Sequence, residues 1–202
     1  NYNLHQIGIA ATELLERCGF KVVLANVQCC GRPMISKGLL EEARANARAN
    51  VDSLIPYVLS GATIVGCEPS CLYTLTEEYP DLLQNDDSRL IAKNSVLIDQ
   101  FLVDLYEHGN LDLTFSDLHK QIQFHGHCHQ KAISGVDASI QALSLPKNFT
   151  VELIDAGCCG MAGSFGFESE HYDISMAIGN DRLFPSIANK SQEWDIAVMG
   201  IS

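Results

Sequence analysis

The chain has 202 residues, of which 47% are hydrophobic, and its formal net charge at pH 7 is −12. This length and composition are typical of a globular protein with one large or two small domains, and they exclude an extensively disordered chain. The negative charge argues against a protein that binds nucleic acid through clustered Lys and Arg. We therefore expect no nucleic-acid partner.

No part of the sequence predicts a membrane span or an export signal. A spanning helix needs roughly 20 predominantly apolar residues, which no segment supplies. The first 20 residues lack the basic head and apolar core of a signal peptide. Without export, the eight cysteines are expected to be reduced thiols rather than disulfides. The sequence thus favours a cytoplasmic protein without a transmembrane segment.

The first half of the chain alternates between helical and strand patterns. A helix is predicted over residues 8–20 and a strand over 21–28, followed by apolar residues at helical spacing between 40 and 55. A second short apolar run, 62–67, predicts another strand. The acidic stretch 77–90 is predicted to be a surface loop.

The second half repeats this alternation. After a connection over residues 108–121, a strand is predicted in the stretch 121–132 and another from residue 150. Residues 167–184 predict a helix, with acidic residues early and a basic residue late, as the helix dipole favours. The run 195–202 predicts a final strand.

The two halves share a motif. "KVVLANVQCCG" aligns without gaps with "TVELIDAGCCG" at an offset of 129 residues, and both end in two adjacent cysteines and a glycine. Strands that alternate with helices predict an α/β fold with mostly parallel sheets. We expect two Rossmann-like lobes, 1–108 and 109–202, related by an internal pseudo-twofold repeat. By the logic of this repeat, a further strand is expected before Asn1 and a further cysteine after Ser202.

The cysteines follow predicted strands, where a doubly wound sheet collects its functional loops. Adjacent cysteines rarely bond to each other because the geometry is strained, but they can offer two thiolates to one metal centre. Gly31 and Gly160 allow close backbone approach, so that N–H groups can point at sulfur. The candidate ligands are Cys29, Cys30, Cys67 and Cys71 in the first half and Cys128, Cys158 and Cys159 in the second.

Thiolate ligands select soft metals, which leaves an iron–sulfur cluster, zinc or copper(I). Zinc sites usually use cysteines separated by two residues. Here "CEPSC" separates Cys67 from Cys71 by three residues, and adjacent pairs are not the zinc-ribbon pattern. The sequence therefore favours an iron–sulfur cluster and leaves zinc as the alternative.

Three histidines alternate with other residues around Cys128. His125, His127 and His129 would share one face if the strand continued through them. They could ligate a metal, or they could cap the loop and hydrogen-bond around the Cys128 ligand. We expect His127 and His129 to play the second of these roles, with Gly31 and Gly160 as further residues that surround the thiols.

Together, "CCGRPMISKGLLEEARANA", "GCEPSC", "HGHCHQKA" and "CCGMAGSFGFE" resemble the cysteine-rich CCG domain family. This family forms the iron–sulfur portion of glycolate oxidase, anaerobic glycerol-3-phosphate dehydrogenase, lactate-utilisation proteins and heterodisulfide reductase. The motifs most resemble the C-terminal part of fused FAD-linked D-lactate and D-2-hydroxyacid dehydrogenases. The resemblance covers essentially the whole chain.

The resemblance implies an oxidoreductase component that relays electrons from reduced FAD, bound outside these residues, to a respiratory acceptor such as quinone. It implies an iron–sulfur cluster, either 4Fe–4S or a noncubane form with five cysteines. Its partners would be a flavin domain or subunit and a membrane electron acceptor, which places the protein in the cytoplasm or on the inner face of the membrane. Two alternatives stay open: a thiol/disulfide catalytic site like that of heterodisulfide reductase, and a zinc-stabilised structural domain.

Overall fold

Short parallel strands and longer helices alternate in the computed structural model, which describes residues 4–188 and 194–200. The chain divides into two units, Asn1–Thr114 and Phe115–Ser202. Each unit contains its own parallel sheet. The mixed α/β class predicted from the alternating pattern is confirmed.

The first unit is mainly helical, with two strands that pair in parallel so that Ile64 lies opposite Ser95. Between α4 and α5 the helix widens into one π-helical turn, Thr74–Glu78. The regular elements are α1 (His5–Arg17), α2 (Arg32–Ser36), α3 (Leu40–Leu59), β1 (Ile64–Gly66), α4 (Pro69–Tyr73), α5 (Tyr79–Leu83), α6 (Asp86–Lys93), β2 (Ser95–Leu97) and α7 (Ile98–Glu107).

Helix α3 supplies the core of the first unit. Apolar residues three or four positions apart form one stripe along it. The stripe packs against Tyr79 of α5 and Ile91 of α6, and both side chains are fully buried. The buried residues of the stripe are Ala43, Ala47, Val51, Leu54 and Val58. The helix predicted from the spacing of these residues is confirmed.

Two predictions for the first unit are wrong. Residues 21–28 form no strand in the described part of the chain, because side chains of α3 rather than a neighbouring strand bond their backbone. The predicted loop 77–90 contains α5 and the start of α6. Helix α6 begins after Asn85, whose side chain accepts the N–H of Ser88 at 2.9 Å. Two of the acidic residues that suggested a loop, Asp86 and Asp87, lie in the first turn of α6, where the helix dipole stabilises them.

The second unit has a three-stranded parallel sheet in the order β4-β3-β5. The central strand β3 is buried over its last four residues, as expected for a parallel strand covered on both faces. Ile122 of β3 lies opposite Val151 of β4 and Asp195 of β5. The regular elements are β3 (Lys120–His125), α8 (Cys128–Ile133), α9 (Asp137–Leu143), β4 (Phe149–Leu153), α10 (Tyr172–Asp181), α11 (Leu183–Ala188) and β5 (Asp195–Val198).

The second unit follows the predicted order of elements with shifted boundaries. The strand predicted within 121–132 ends at His125, and α8 begins three residues later. The helix predicted over 167–184 begins as two short 3-10 turns and continues as α10. Residues 201–202 of the predicted last strand lie outside the described residues. Within the described ranges, no helix has both the length and the apolar character needed to cross a membrane.

Candidate metal centre

The first adjacent pair lies where the irregular segment 21–28 meets α2. Cys30 is buried, with 7% of its surface exposed, whereas Cys29 faces solvent. Gly31 follows with φ of +93°, a left-handed conformation that favours glycine. Its α-carbon faces α3, where an added methyl group would contact Ala43 at 3.5 Å. The turn therefore directs the two thiols differently and holds Cys30 inside the unit.

Cys71 of α4 brings a third thiol to this pair. Its S–H donates a hydrogen bond to Cys30, and this bond is the main reason why the pKa of Cys30 is lowered, to about 6. The Arg32 N–H and the Thr74 hydroxyl lower the pKa of Cys30 further, against the effect of burial. The same bond raises the pKa of Cys71 far above its usual value, and the charge of Cys29 adds to this effect. The pair therefore shares one proton, with Cys30 as the thiolate.

Arg32 connects this thiolate to the π-helical turn. Its Nε donates to the Thr74 hydroxyl at 3.2 Å, and its Nη2 forms an ion pair with Glu78 at 2.5 Å. Both charged side chains are about three-quarters buried, with 21% and 26% exposed. Because π-helical turns insert one extra residue, they often occur at functional sites. Here the turn aligns Thr74 and Glu78 with the guanidinium that lies beside Cys30.

A buried polar network fixes the backbone of the pair. Asn50 of α3 donates to the Tyr79 hydroxyl at 2.8 Å, and that hydroxyl donates to the Cys30 carbonyl at 3.0 Å. The Asn50 amide also donates to the Cys29 carbonyl at 3.3 Å and accepts the Gln28 N–H at 2.7 Å. Asn50 and Tyr79 are 2% and 0% exposed. Neither residue was identified from the sequence: a polar residue on a helix such as Asn50 gives no signal of being buried, and Tyr79 lies in the stretch predicted to be a loop.

Cys67 follows β1 and is partly buried. Burial and the carboxylate of Asp99 both raise its pKa, so the metal-free chain keeps it as a neutral thiol. The described contacts connect the first pair to Cys71. Its role as a ligand stays a prediction.

The second adjacent pair lies in the loop after β4, and both thiols are half-buried. Gly160 has φ of +92°, nearly the same as the aligned Gly31. Its N–H donates to the Cys158 sulfur at 3.3 Å. The expected combination of a glycine turn with an N–H directed at sulfur is therefore present at this pair.

Cys128, the first residue of α8, lies beside this pair and faces solvent. Burial on its inner side raises its pKa, and the charge of Cys158, a hydrogen bond with Cys158 and the charge of Cys159 act in the same direction. Lys131 opposes this shift. The second unit thus groups three thiols, as the first unit does with Cys29, Cys30 and Cys71.

The histidines around Cys128 do not lie along one strand face, because β3 ends at His125. His127 caps α8: its Nδ1 accepts the backbone N–H of His129 at 3.1 Å. His127 is buried, whereas His129 is partly exposed. Burial lowers the pKa of His125 and, with the charge of Lys131, keeps it neutral. His127 and His129 thus flank Cys128 in the chain at the start of α8, and His127 caps that helix.

An open cavity of about 560 Å³ borders Cys158. Ile174, Ala177 and Ile178 of α10 form its apolar wall. Asp173, Asp181 and Arg182 complete the lining, and Arg182 also pairs with Asp155 at 3.4 Å. The half-buried thiol is therefore accessible from a space that could admit a small organic molecule.

The donor chemistry of both groups fits a thiophilic metal centre. Each group offers three thiols from two different elements, and glycine turns give sulfur access to backbone N–H groups. Within residues 4–188 and 194–200, no three Cys, His, Asp or Glu side chains are arranged so that they could hold a metal ion. The thiols thus supply the soft donors that an iron–sulfur cluster or zinc requires, but the described side chains do not form a metal-binding arrangement.

Comparison with known proteins places these features in a family. The family model of the cysteine-rich domain, CCG, matches residues 1–76. The chain is 31% identical to lactate utilization protein A of Oceanobacillus iheyensis, over 84% of this chain and 70% of that protein. It is 30% identical to a subunit of the anaerobic glycerol-3-phosphate dehydrogenase of Escherichia coli, over 89% of this chain and 45% of that relative. No solved structure matches significantly.

The two thiol groups and the parallel α/β units define a cysteine-rich protein, and its relatives include a dehydrogenase subunit and a dehydrogenase. The chain belongs to the cysteine-rich CCG domain family, as its motifs predicted. It is also 26% identical to D-2-hydroxyglutarate dehydrogenase of Escherichia coli, over 82% of this chain but 16% of that enzyme. The chain spans about half the length of its relative in the glycerol-3-phosphate dehydrogenase.

Proposed function

We propose that this chain is an iron–sulfur electron-transfer domain of a FAD-linked 2-hydroxyacid dehydrogenase. The observation that carries the proposal is the grouping of each adjacent cysteine pair with a third thiol from another element: Cys71 joins the first pair and Cys128 the second. The dehydrogenase components among the relatives support an oxidoreductase role. The two groups would belong to two Rossmann-like lobes, 1–108 and 109–202, related by the internal repeat.

The ligands of such centres would be Cys29, Cys30, Cys71 and Cys67 in the first lobe and Cys128, Cys158 and Cys159 in the second. An iron–sulfur cluster supplies one-electron transfer at a potential set by its charge, hydrogen bonding and burial. The chain contributes anionic sulfur, and Arg32 offsets the negative charge at the first pair. Gly160 directs its N–H at sulfur in the second. A 4Fe–4S or a noncubane cluster is compatible with this donor set, and zinc is the alternative metal.

The partners would be a flavin domain or subunit that oxidises the hydroxyacid and a quinone or other membrane acceptor that receives the electrons. Relatives named as part of a dehydrogenase and as a whole dehydrogenase support a flavin-containing partner. The protein would then work in the cytoplasm, associated with the inner face of the membrane through its acceptor.

The test uses the full protein, purified without oxygen, and two serine variants, Cys30→Ser and Cys158→Ser. Iron and acid-labile sulfide should be present in comparable amounts and should fall in each variant, with loss of the corresponding EPR signal. Quinone-linked turnover should be lost while substrate still reduces the flavin. Cys18→Ser is the matched control, since Cys18 ends α1 and is not one of the proposed ligands. Retained turnover in both variants, or zinc without sulfide, would contradict the electron-relay proposal.

The cavity beside Cys158 favours a second candidate, cleavage of a substrate disulfide. A Cys158 thiolate that attacks a disulfide forms a mixed disulfide and releases the other half as a thiolate. The reduced flavin of the partner would supply the two electrons that restore the thiol. Thiol release from small disulfides by the reduced protein, lost in Cys158→Ser but retained in Cys30→Ser, would support this candidate. No thiol release would exclude it.

A further inference from the structure

Side chains of helix α3 hydrogen-bond the backbone of the segment before the first cysteine pair. In an α/β protein, neighbouring strands usually bond the backbone of such a segment. Asn46, Asn50 and Ser53 lie four and three positions apart and therefore share one helix face. Ser53 donates to the Asn26 carbonyl at 2.8 Å, and Asn46 donates to the Cys29 carbonyl at 3.3 Å. One polar face of α3 thus holds residues 26–30 in place.

Asn50 is the central residue of this face, and it acts together with Tyr79. The Asn50 amide donates to the Tyr79 hydroxyl, which then donates to the Cys30 carbonyl, so that two hydrogen bonds form a chain. Such chains strengthen each other inside a protein, where the effective dielectric constant is low. The chain ends on the carbonyl of the residue that carries the buried thiol.

We propose that Asn50 and Tyr79 are positioning residues for the first thiol group, which fix the Cys29–Cys30 backbone so that Cys30 stays inside beside Cys71 while Cys29 faces outward. The proposal rests on the proposed metal-binding function, since the geometry they set is that of its first ligand pair. The two residues act through the backbone and are not themselves ligands.

A further observation agrees with this role. Tyr79 belongs to the helical segment that also carries Cys71 and the π-helical turn, so its hydroxyl connects the ligand on α4 with the loop that holds the pair. A residue that merely filled the core would not need that hydroxyl.

The test compares Tyr79→Phe and Asn50→Leu with the unaltered full chain, reduced and freed of metal by a chelator. All chains are treated briefly with iodoacetamide at the same pH, and the alkylated fraction of each cysteine is measured by peptide mass spectrometry. The ratio of Cys30 to Cys29 labelling should rise at least about fivefold in each variant, since loss of one buried hydrogen bond shifts a local opening equilibrium by about that factor. The rise should be larger in Asn50→Leu, which also loses the bonds to Gln28 and Cys29. Labelling of Cys158 and Cys159 should stay unchanged.

Ser139→Ala is the matched control, since it removes another buried hydrogen bond, the 2.7 Å bond from Gln130 in the second unit. It should lower thermal stability without changing the Cys30 to Cys29 ratio. Tyr79→Phe is the milder variant, because it keeps the ring, and it reports on the hydroxyl alone. An unchanged ratio in Tyr79→Phe and Asn50→Leu would overturn the positioning role. Absence of iron from the unaltered protein would overturn the proposed function. The labelling ratio would still test whether Asn50 and Tyr79 position the two thiols, because it is measured on the metal-free chain.

Discussion

Substitution of Gly160 by alanine tests how the second thiol loop packs on α10. Gly160 has φ of +92°, and an added methyl carbon would lie 2.9 Å from the Ser175 carbonyl carbon and closer still to its oxygen. The left-handed conformation costs a non-glycine residue about 1–2 kcal/mol, and overpacking against backbone adds about 1–3 kcal/mol. The free energy of unfolding should therefore fall by about 2–5 kcal/mol in total.

Gly163→Ala separates the two contributions. Gly163 also has positive φ, +70°, but within the described residues no atom lies within 4 Å of its added methyl group. The free energy of unfolding of Gly163→Ala should therefore fall only by the cost of the left-handed conformation, about 1–2 kcal/mol. Thermal melting of the reduced chain measures the loss in both variants, since each kcal/mol lost from the free energy of unfolding lowers the Tm by roughly 2–4 °C at this size. Equal losses in the two variants would refute the close approach of the loop to α10.

Three further predictions concern the first unit. Arg32→Met should lower the free energy of unfolding by about 1–3 kcal/mol, because it leaves the mostly buried Glu78 without its cation. Urea unfolding measures this loss. The further substitution Glu78→Leu in the same chain should recover part of it. Folding lowers the pKa of Cys30 from 9.0 to about 6 and raises the pKa of Cys71. At high pH the folded pair therefore keeps one proton, whereas the two unfolded thiols release both. The free energy of unfolding of the metal-free chain should then rise between pH 6 and 9 and fall above pH 9. Urea titrations at several pH values measure this dependence, and Cys30→Ser should abolish the rise. Asn85→Ala should cost about 1 kcal/mol through loss of the α6 cap, and an unchanged urea midpoint would contradict that capping role.

The sequence predicted those elements whose pattern is local. The spacing of Ala43, Ala47, Val51 and Leu54 indicated α3, and the apolar runs indicated β1, β3 and β5. It failed where tertiary contacts replaced the local preference. Residues 21–28 have strand composition, yet Asn50 and Ser53 bond their backbone.

The thiol groups were predictable in part for the same reason. Adjacent cysteines before a glycine mark a turn that a sequence can show, and the left-handed φ of Gly31 and Gly160 agrees with it. The partner of each pair depends on how distant elements pack, so the contact between Cys30 and Cys71 could only be expected in outline. The contribution of Tyr79 could not be predicted, because it lies in a stretch whose acidic composition indicated a loop.

The two pairs share a sequence but differ in what surrounds them, and the helix packed on each explains the difference. Helix α3 presents amide side chains to the first loop, which buries Cys30 and places it beside the Arg32 guanidinium. Helix α10 approaches the second loop with the backbone and hydroxyl of Ser175, and Cys158 stays half-buried at an open cavity. A metal centre at the first pair would therefore be held by a rigid, charge-balanced environment, and one at the second pair would be open to a small molecule. The same three-residue motif thus carries a buried thiol in one unit and a half-buried thiol beside an open cavity in the other.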